Sequence, residues 1–159
     1  MLIDSKRPFY WISGMLILCL LGIVLYFQYQ KIADKNSITI FTAVRPVKIQ
    51  VEFAKTVQEL ETGLMNRETL DANSGMFFVF SDEKPRNFWM KDTLIPLDLI
   101  FISSNGHIKE ITTQEPCPKI GACTFYASKS QAQYVLEINA GSADQWGMSV
   151  GDIIELPQK

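Results

Sequence analysis

From Phe9 to Phe27 the chain runs nineteen residues without a charge, FYWISGMLILCLLGIVLYF. At ~1.5 Å per residue a helix of that length spans about 28 Å, close to the ~30 Å hydrocarbon thickness of a bilayer. The stretch is apolar on every side, and aromatic residues cluster at both ends, with Phe9, Tyr10 and Trp11 before it and Tyr26, Phe27 and Tyr29 after it. Rings of this kind sit at headgroup level. The pattern predicts a transmembrane helix over 9–29. Lys6, Arg7 and the terminal amine precede it, while Lys31 and Lys35 follow with Asp34 as a partial offset. This bias favours a cytoplasmic N-terminus (1–8) and a translocated C-terminal part. No A-x-A site follows the apolar run, and Leu18 stands before Cys19 where lipoprotein processing wants a small residue, so the anchor is expected to be retained.

Beyond a polar juxtamembrane linker, taken as 30–45, the hydrophobic period shortens and a single globular domain is expected over 46–159. VKIQVEFA sets Val47, Ile49, Val51 and Phe53 against Lys48, Gln50 and Glu52, a half-buried strand. Thr56 and Glu59 have the spacing of a capping box. They head a helix, TVQELETGLMNR, that would bury Val57, Leu60, Leu64 and Met65, although Gly63 weakens it. GMFFVF reads as a strand buried on both faces, Ser81–Pro85 as a loop, and LDLIFIS as a further strand. Asn105-Gly106 then predicts a two-residue type I′ hairpin into HIKEIT. QYVLEINA alternates Tyr134, Leu136 and Ile138 against Val135, Glu137 and Asn139; a helical turn runs from Gly141 to Trp146, and DIIEL is the last strand. The expected class is α+β: a curled antiparallel sheet or small barrel with two short helices, behind the N-terminal helix.

Charge and composition narrow the function classes. With a net charge of −2 and pI near 5.4, nothing favours nucleic acid as a partner. Cys117 and Cys123 flank a loop containing Pro118 and Gly121. Five intervening residues allow a disulfide, stable only in an oxidising compartment; two free thiols are the other reading. With His107 as the one histidine and no C-x-x-C, neither a metal site nor a cofactor is assigned. The expected location is therefore the cytoplasmic membrane, single-pass, with the domain on the extracytoplasmic (periplasmic) side.

The blocks GLMNRETL (63–70), GMFFVF (75–80), FWMKDTLIPLDLIFI (88–102), YVLEINAG (134–141) and WGMSVGDII (146–154) resemble the domain-of-unknown-function family 192 of bacteria and archaea. The resemblance covers about 47–157, with Asp92 standing where asparagine is expected. It implies a small domain, often behind a signal or anchor, and carries no activity with it.

Three functional readings compete. In the first, Arg67, Trp89, Asp92 and Asp98 rim a binding surface for a small molecule, saccharide or protein, since tryptophan and arginine are frequent recognition anchors. Against it, Asp98 shares a strand face with Ile100 and Ile102, and its carboxylate can simply bond loop amides in the core. In the second, Asp98 and Glu137 form a hydrolytic carboxylate pair, which requires them to flank one scissile bond; a solvated face for Glu137 is the plainer reading. In the third, Met65, Met76, Met90 and Met148 bind a soft ion such as Cu(I). Each also falls where a core side chain would pack. A non-catalytic binding module is the favoured reading.

Overall fold

The computed structural model describes residues 7–118 and 120–156, with the backbone alone described for 7–13 and 30–35. Helix α1 covers Arg7–Lys35, and the residues from Asn36 onward form a separate compact unit. Every described α1 side chain, from Gly14 to Tyr29, is exposed. Among the described residues no helix is long and apolar enough to cross a membrane. The expected helix over 9–29 is therefore present as a helix, with no structural support for its spanning role, and the side chains of Phe9–Ser13 lie outside those described.

The expected linker over 30–45 is partly structured. Strand β1 occupies Ser37–Phe41 and pairs antiparallel with β2, Pro46–Ala54. Only Ile38 and Ile40 alternate inward in β1, too short a pattern to stand out among polar neighbours. The Thr42 hydroxyl ties the turn, donating to the Arg45 carbonyl at 2.8 Å. In β2 the predicted alternation is realised, with Val47, Ile49 and Val51 buried.

Between β2 and β3 (Ser74–Trp89) the chain crosses over through α2 (Val57–Thr62), and the two strands run parallel from Gln50↔Ser74 to Ala54↔Phe78. This corrects the expected antiparallel sheet to a mixed one. A parallel neighbour needs a crossover of about a dozen residues, which 55–73 supplies, and hydrophobic period alone carries no strand direction. The capping box is present: the Glu59 N–H donates to the Thr56 hydroxyl at 3.3 Å, and the Thr56 N–H to the Glu59 carboxylate at 2.9 Å. The helix is shorter than expected. It ends at Gly63, whose φ of 48° and ψ of −133° suit glycine alone, and Val57 is 72% exposed rather than buried.

The expected loop over Ser81–Pro85 is instead part of β3. It falls where the ladder to β6 (Phe125–Asn139) shifts register, between Val79 and Lys84 and again between Pro85 and Asn87. A bulge accommodates a proline that has no N–H to give. There Arg86 is buried. Its Nε donates to the Ala132 carbonyl at 2.9 Å and its NH2 group to Asp82 Oδ1 at 2.9 Å, while its backbone N–H reaches Ser128 Oγ at 2.8 Å.

Strand β4 (Leu97–Ile102) is buried at every position and lies between β6 and β5 (Ile108–Gln114). The β4–β5 turn differs from the type I′ expectation. Gly106 N–H donates to the Ser103 carbonyl at 3.0 Å, and of the two expected turn residues Gly106 alone takes positive φ, at 83°. This is the longer turn that closes with a glycine bulge. Helix α3 (Ser142–Gln145) opens at Gly141, and β7 is the pair Ile153–Ile154.

The sheet order is β5-β4-β6-β3-β2-β1-β7. It curls until its outer strands approach, where His107 and Ile153 form a bridge. The concave side holds one core, including Ile40, Ile49, Phe77, Ile100, Leu136 and Trp146. The convex side of β3, β4 and β6 carries a second core with Leu64, Met76, Phe78, Leu99, Phe101 and Val135. The three central strands are therefore buried on both faces. Cys117 and Cys123 are bonded, with their Cα atoms 5.2 Å apart, and Cys117 packs on the convex core.

Candidate ligand-binding cleft

Strand pairing fixes where each carboxylate points. Asp98 lies opposite Ile138, and Glu137 lies opposite Leu99, so the two acids face opposite sides of the sheet. They cannot flank one bond, and the carboxylate pair expected of a hydrolase does not form.

Asp98 is 2% exposed and belongs to the concave side with Ile100 and Ile102. Its Oδ1 accepts from the Thr113 hydroxyl at 2.7 Å, and its Oδ2 accepts from the Ala143 N–H at 3.0 Å, in the first turn of α3. It ties β4 to β5 and to the short helix. This is the loop-amide role weighed against the binding role, and it removes Asp98 from any surface rim.

Glu137 is 6% exposed, not solvated. Burial pushes its carboxyl from the ordinary value near 4.5 up to about 8. Its side chain carries neither a hydrogen bond nor an ion pair among the described residues, and it lines a hollow of about 380 Å³. That size falls in the lower part of the ~300–1,000 Å³ range of small-molecule sites. Above it stands the end of α2. A β-carbon on Gly63 would lie 3.2 Å from Phe78 Cζ and 3.8 Å from Glu137 Oε2, so the glycine keeps the space over the acid open.

The walls are aromatic. Phe78 and Phe88 meet edge to face at 5.2 Å, and Trp89 stacks on Phe125 at 4.9 Å with an 8° interplanar angle. Trp89 and Phe125 come from opposite strands, β3 and β6, which pair there residue to residue. Polar groups are few: Thr62, Asn87 and Thr93 join Glu61 and Glu137 in the lining. A neutral carboxyl at the floor both donates and accepts a hydrogen bond, which suits recognition of a ligand with an apolar body and a polar tip.

Of the four residues expected to share a binding rim, Trp89 alone lines this cleft. Arg67 lies in a neighbouring groove, paired with Glu52 at 2.5 Å, and that pairing holds the Glu52 carboxyl below its usual range. Asp92 takes a left-handed backbone, φ 54°, and its carbonyl accepts from the Asn66 N–H at 2.7 Å. Of the four methionines, Met76 and Met90 pack in the convex core, Met148 in the concave core, and Met65 lines the cleft. Among the described residues no cluster of three or more His, Cys, Asp or Glu could hold a metal ion.

Sequence reading named Glu137 but placed it on a solvated face, because alternation within YVLEINA marks that face as polar. The signal lay in the neighbours. A strand set between GMFFVF and LDLIFI, both apolar on both faces, has no solvated side to offer.

Fold and cleft together define a small α+β half-barrel with a ligand-sized hollow on its convex face. Residues 39–156 match the DUF192 model, an uncharacterized ACR, and the chain belongs to this family. A crystal structure of a candidate transcription regulator from Sinorhizobium meliloti 1021 is similar at 37% identity and TM-score 0.68, over 75% of this chain and 91% of that one. A crystal structure of a protein of unknown function from Novosphingobium aromaticivorans DSM 12444 is similar at 31% identity and TM-score 0.69, over 76% and 84%. No curated protein matches the chain.

Proposed function

We propose that this chain is a membrane-anchored, non-catalytic binding module whose ligand is a small molecule seated in the convex cleft. The observation that carries the reading is Glu137, a carboxyl without a partner among the described residues, at the floor of a half-open aromatic hollow. A fold pays for such a group only where something else uses it. With the other acid of the lining, Glu61, exposed at the end of α2, recognition is favoured over hydrolysis. Copper binding through methionines is disfavoured by the division of Met76 and Met90 from Met148 between the two cores.

The anchor reading is supported by nineteen uncharged residues inside a 29-residue helix, with large apolar side chains from Met15 to Phe27 exposed around it. Water is a poor solvent for such a surface. The Cys117–Cys123 bond supports an extracytoplasmic domain, since such bonds persist in oxidising compartments. Nucleic acid is not proposed as a partner, because the charged groups lining the cleft are acidic.

The test is a thermal-shift screen of the full chain in non-ionic detergent against saccharides, peptidoglycan fragments, small amines and metal ions. A specific occupant raises the melting temperature. Glu137→Gln and Trp89→Ala should each remove that shift. A screen without a shift, or a shift indifferent to both variants, would overturn the cleft.

A further inference from the structure

The lining of the cleft has one sign of charge. Among the described residues its two ionisable groups are Glu61 and Glu137, and none of its lining is a lysine, arginine or histidine. An anionic ligand would meet a carboxyl at the floor with no counter-charge. Cations already stand against two rings of the wall: Lys91 Nζ lies 5.1 Å from the centroid of Trp89, which also stacks on Phe125, and the Arg86 guanidinium lies 3.9 Å from that of Phe80. Arg86 is held there by Asp82 and Ala132 and does not reach Glu137 as a partner. The floor acid is more than nine-tenths buried and still unpaired, a donor set completed by a positive guest.

We propose that the cleft receives a compact organic cation, an alkylammonium or quaternary ammonium group, held against the aromatic wall with Glu137 as its counter-ion. This rests on the binding reading above and names its ligand class. Aromatic faces attract such cations through the ring quadrupole, more strongly where water is excluded. A neutral ligand would leave the carboxyl without the charge that stabilises its ionised form.

A pH signature follows. The elements packed around Glu137 face it with Met76 and Phe78 from β3, Leu99 from β4, Thr93 from the loop after β3, and Glu61 from the end of α2. Of these, Glu61 is the other titratable group, and its charge has the same sign. The free carboxyl is neutral below about 8, whereas the cation binds the carboxylate. Binding therefore expels a proton, and affinity should rise by up to about tenfold per pH unit between pH 6 and 8 before levelling off.

The test is calorimetry on the full chain in non-ionic detergent with choline and its neutral carbon isostere, dimethylbutanol, across that pH range. The expected result is that choline binds at least tenfold more tightly than the isostere. Glu137→Gln should abolish this preference and the pH slope, and Trp89→Leu should weaken choline binding at unchanged slope. Equal affinities, or an affinity that falls as pH rises, would overturn the cation class. If choline is silent while another probe gives a Glu137-dependent thermal shift, the cation class falls and the cleft stands. If every probe is silent, both fall.

Discussion

Asp98 and Glu137 lie one rung apart on neighbouring strands, and both are almost wholly buried, yet they meet opposite surroundings. Asp98, on the concave side, accepts two hydrogen bonds and is packed into the middle of a filled core. Glu137, on the convex side, accepts none among the described residues and borders empty space. Burial is common to both, so burial does not distinguish a structural acid from one held ready for a partner. The distinguishing quantities are the hydrogen bonds already made and the volume left beside the group.

Four measurements put this contrast at risk. The largest effect concerns Glu137 and pH. Its folded carboxyl is raised from about 4.5 to about 8, so the folded chain holds a proton that the unfolded chain releases. Stability present below pH 4.5 is lost progressively as the pH climbs to about 8, by up to about 5 kcal/mol. Denaturant titrations of the wild type against Glu137→Gln should diverge over that window and run parallel outside it. Parallel curves throughout would show the acid to be well solvated.

Asp98→Ala should cost about 3 kcal/mol at neutral pH, because the Ala143 N–H and the Thr113 hydroxyl lose a buried acceptor. Asp98→Asn, which keeps one acceptor oxygen, should cost less. A neutral result for the alanine variant would dissolve the contrast from the other side. Next in size, reducing the Cys117–Cys123 bond should lower stability by about 2 kcal/mol, the chain-entropy estimate for so short a ring. Amide exchange should then quicken on the convex face near Cys117 and leave the concave core protected. A similar loss, about 2 kcal/mol, is expected from Gly63→Ala, since φ 48° with ψ −133° is glycine-only backbone. Its value lies in geometry: the added methyl sits over the acid, so any ligand shift in the cleft should shrink by more than the stability loss explains.

Much of the architecture was legible in the chain. Alternation located β2, continuous apolar runs located the starts of β3 and β4, and the Thr56–Glu59 spacing located the start of α2. What stayed hidden was information that resides between segments. The parallel pairing of β2 with β3 depends on where the crossover returns, and the extension of β3 through Pro85 depends on a bulge that only its partner strand defines. The reading of Asp98 as either rim or core residue was settled by Ala143, forty-five positions away in sequence. The cleft itself was less visible. Trp89 was singled out as a recognition anchor, whereas Phe125, its stacking partner, lay beyond the cysteine loop and carried no local mark. Glu137 was correctly noticed as an acid within a strand and assigned the wrong environment, because one strand's alternation cannot report on the two strands beside it.

The seam between the two sheet margins has a consequence for how the protein behaves in company. The Ile108 N–H donates to the Asp152 carbonyl at 2.9 Å and the Ile154 N–H to the Gly106 carbonyl at 2.8 Å, stitching the head of β5 to β7. Backbone groups that would otherwise stand open as a template for a stranger's strand are spent within the molecule. Farther along β5, Glu110 accepts from the backbone N–H groups of Lys129 and Ser130 at 2.9 and 3.1 Å, folding the end of β6 across the same region. At this seam a neighbouring copy finds little free backbone to extend the sheet.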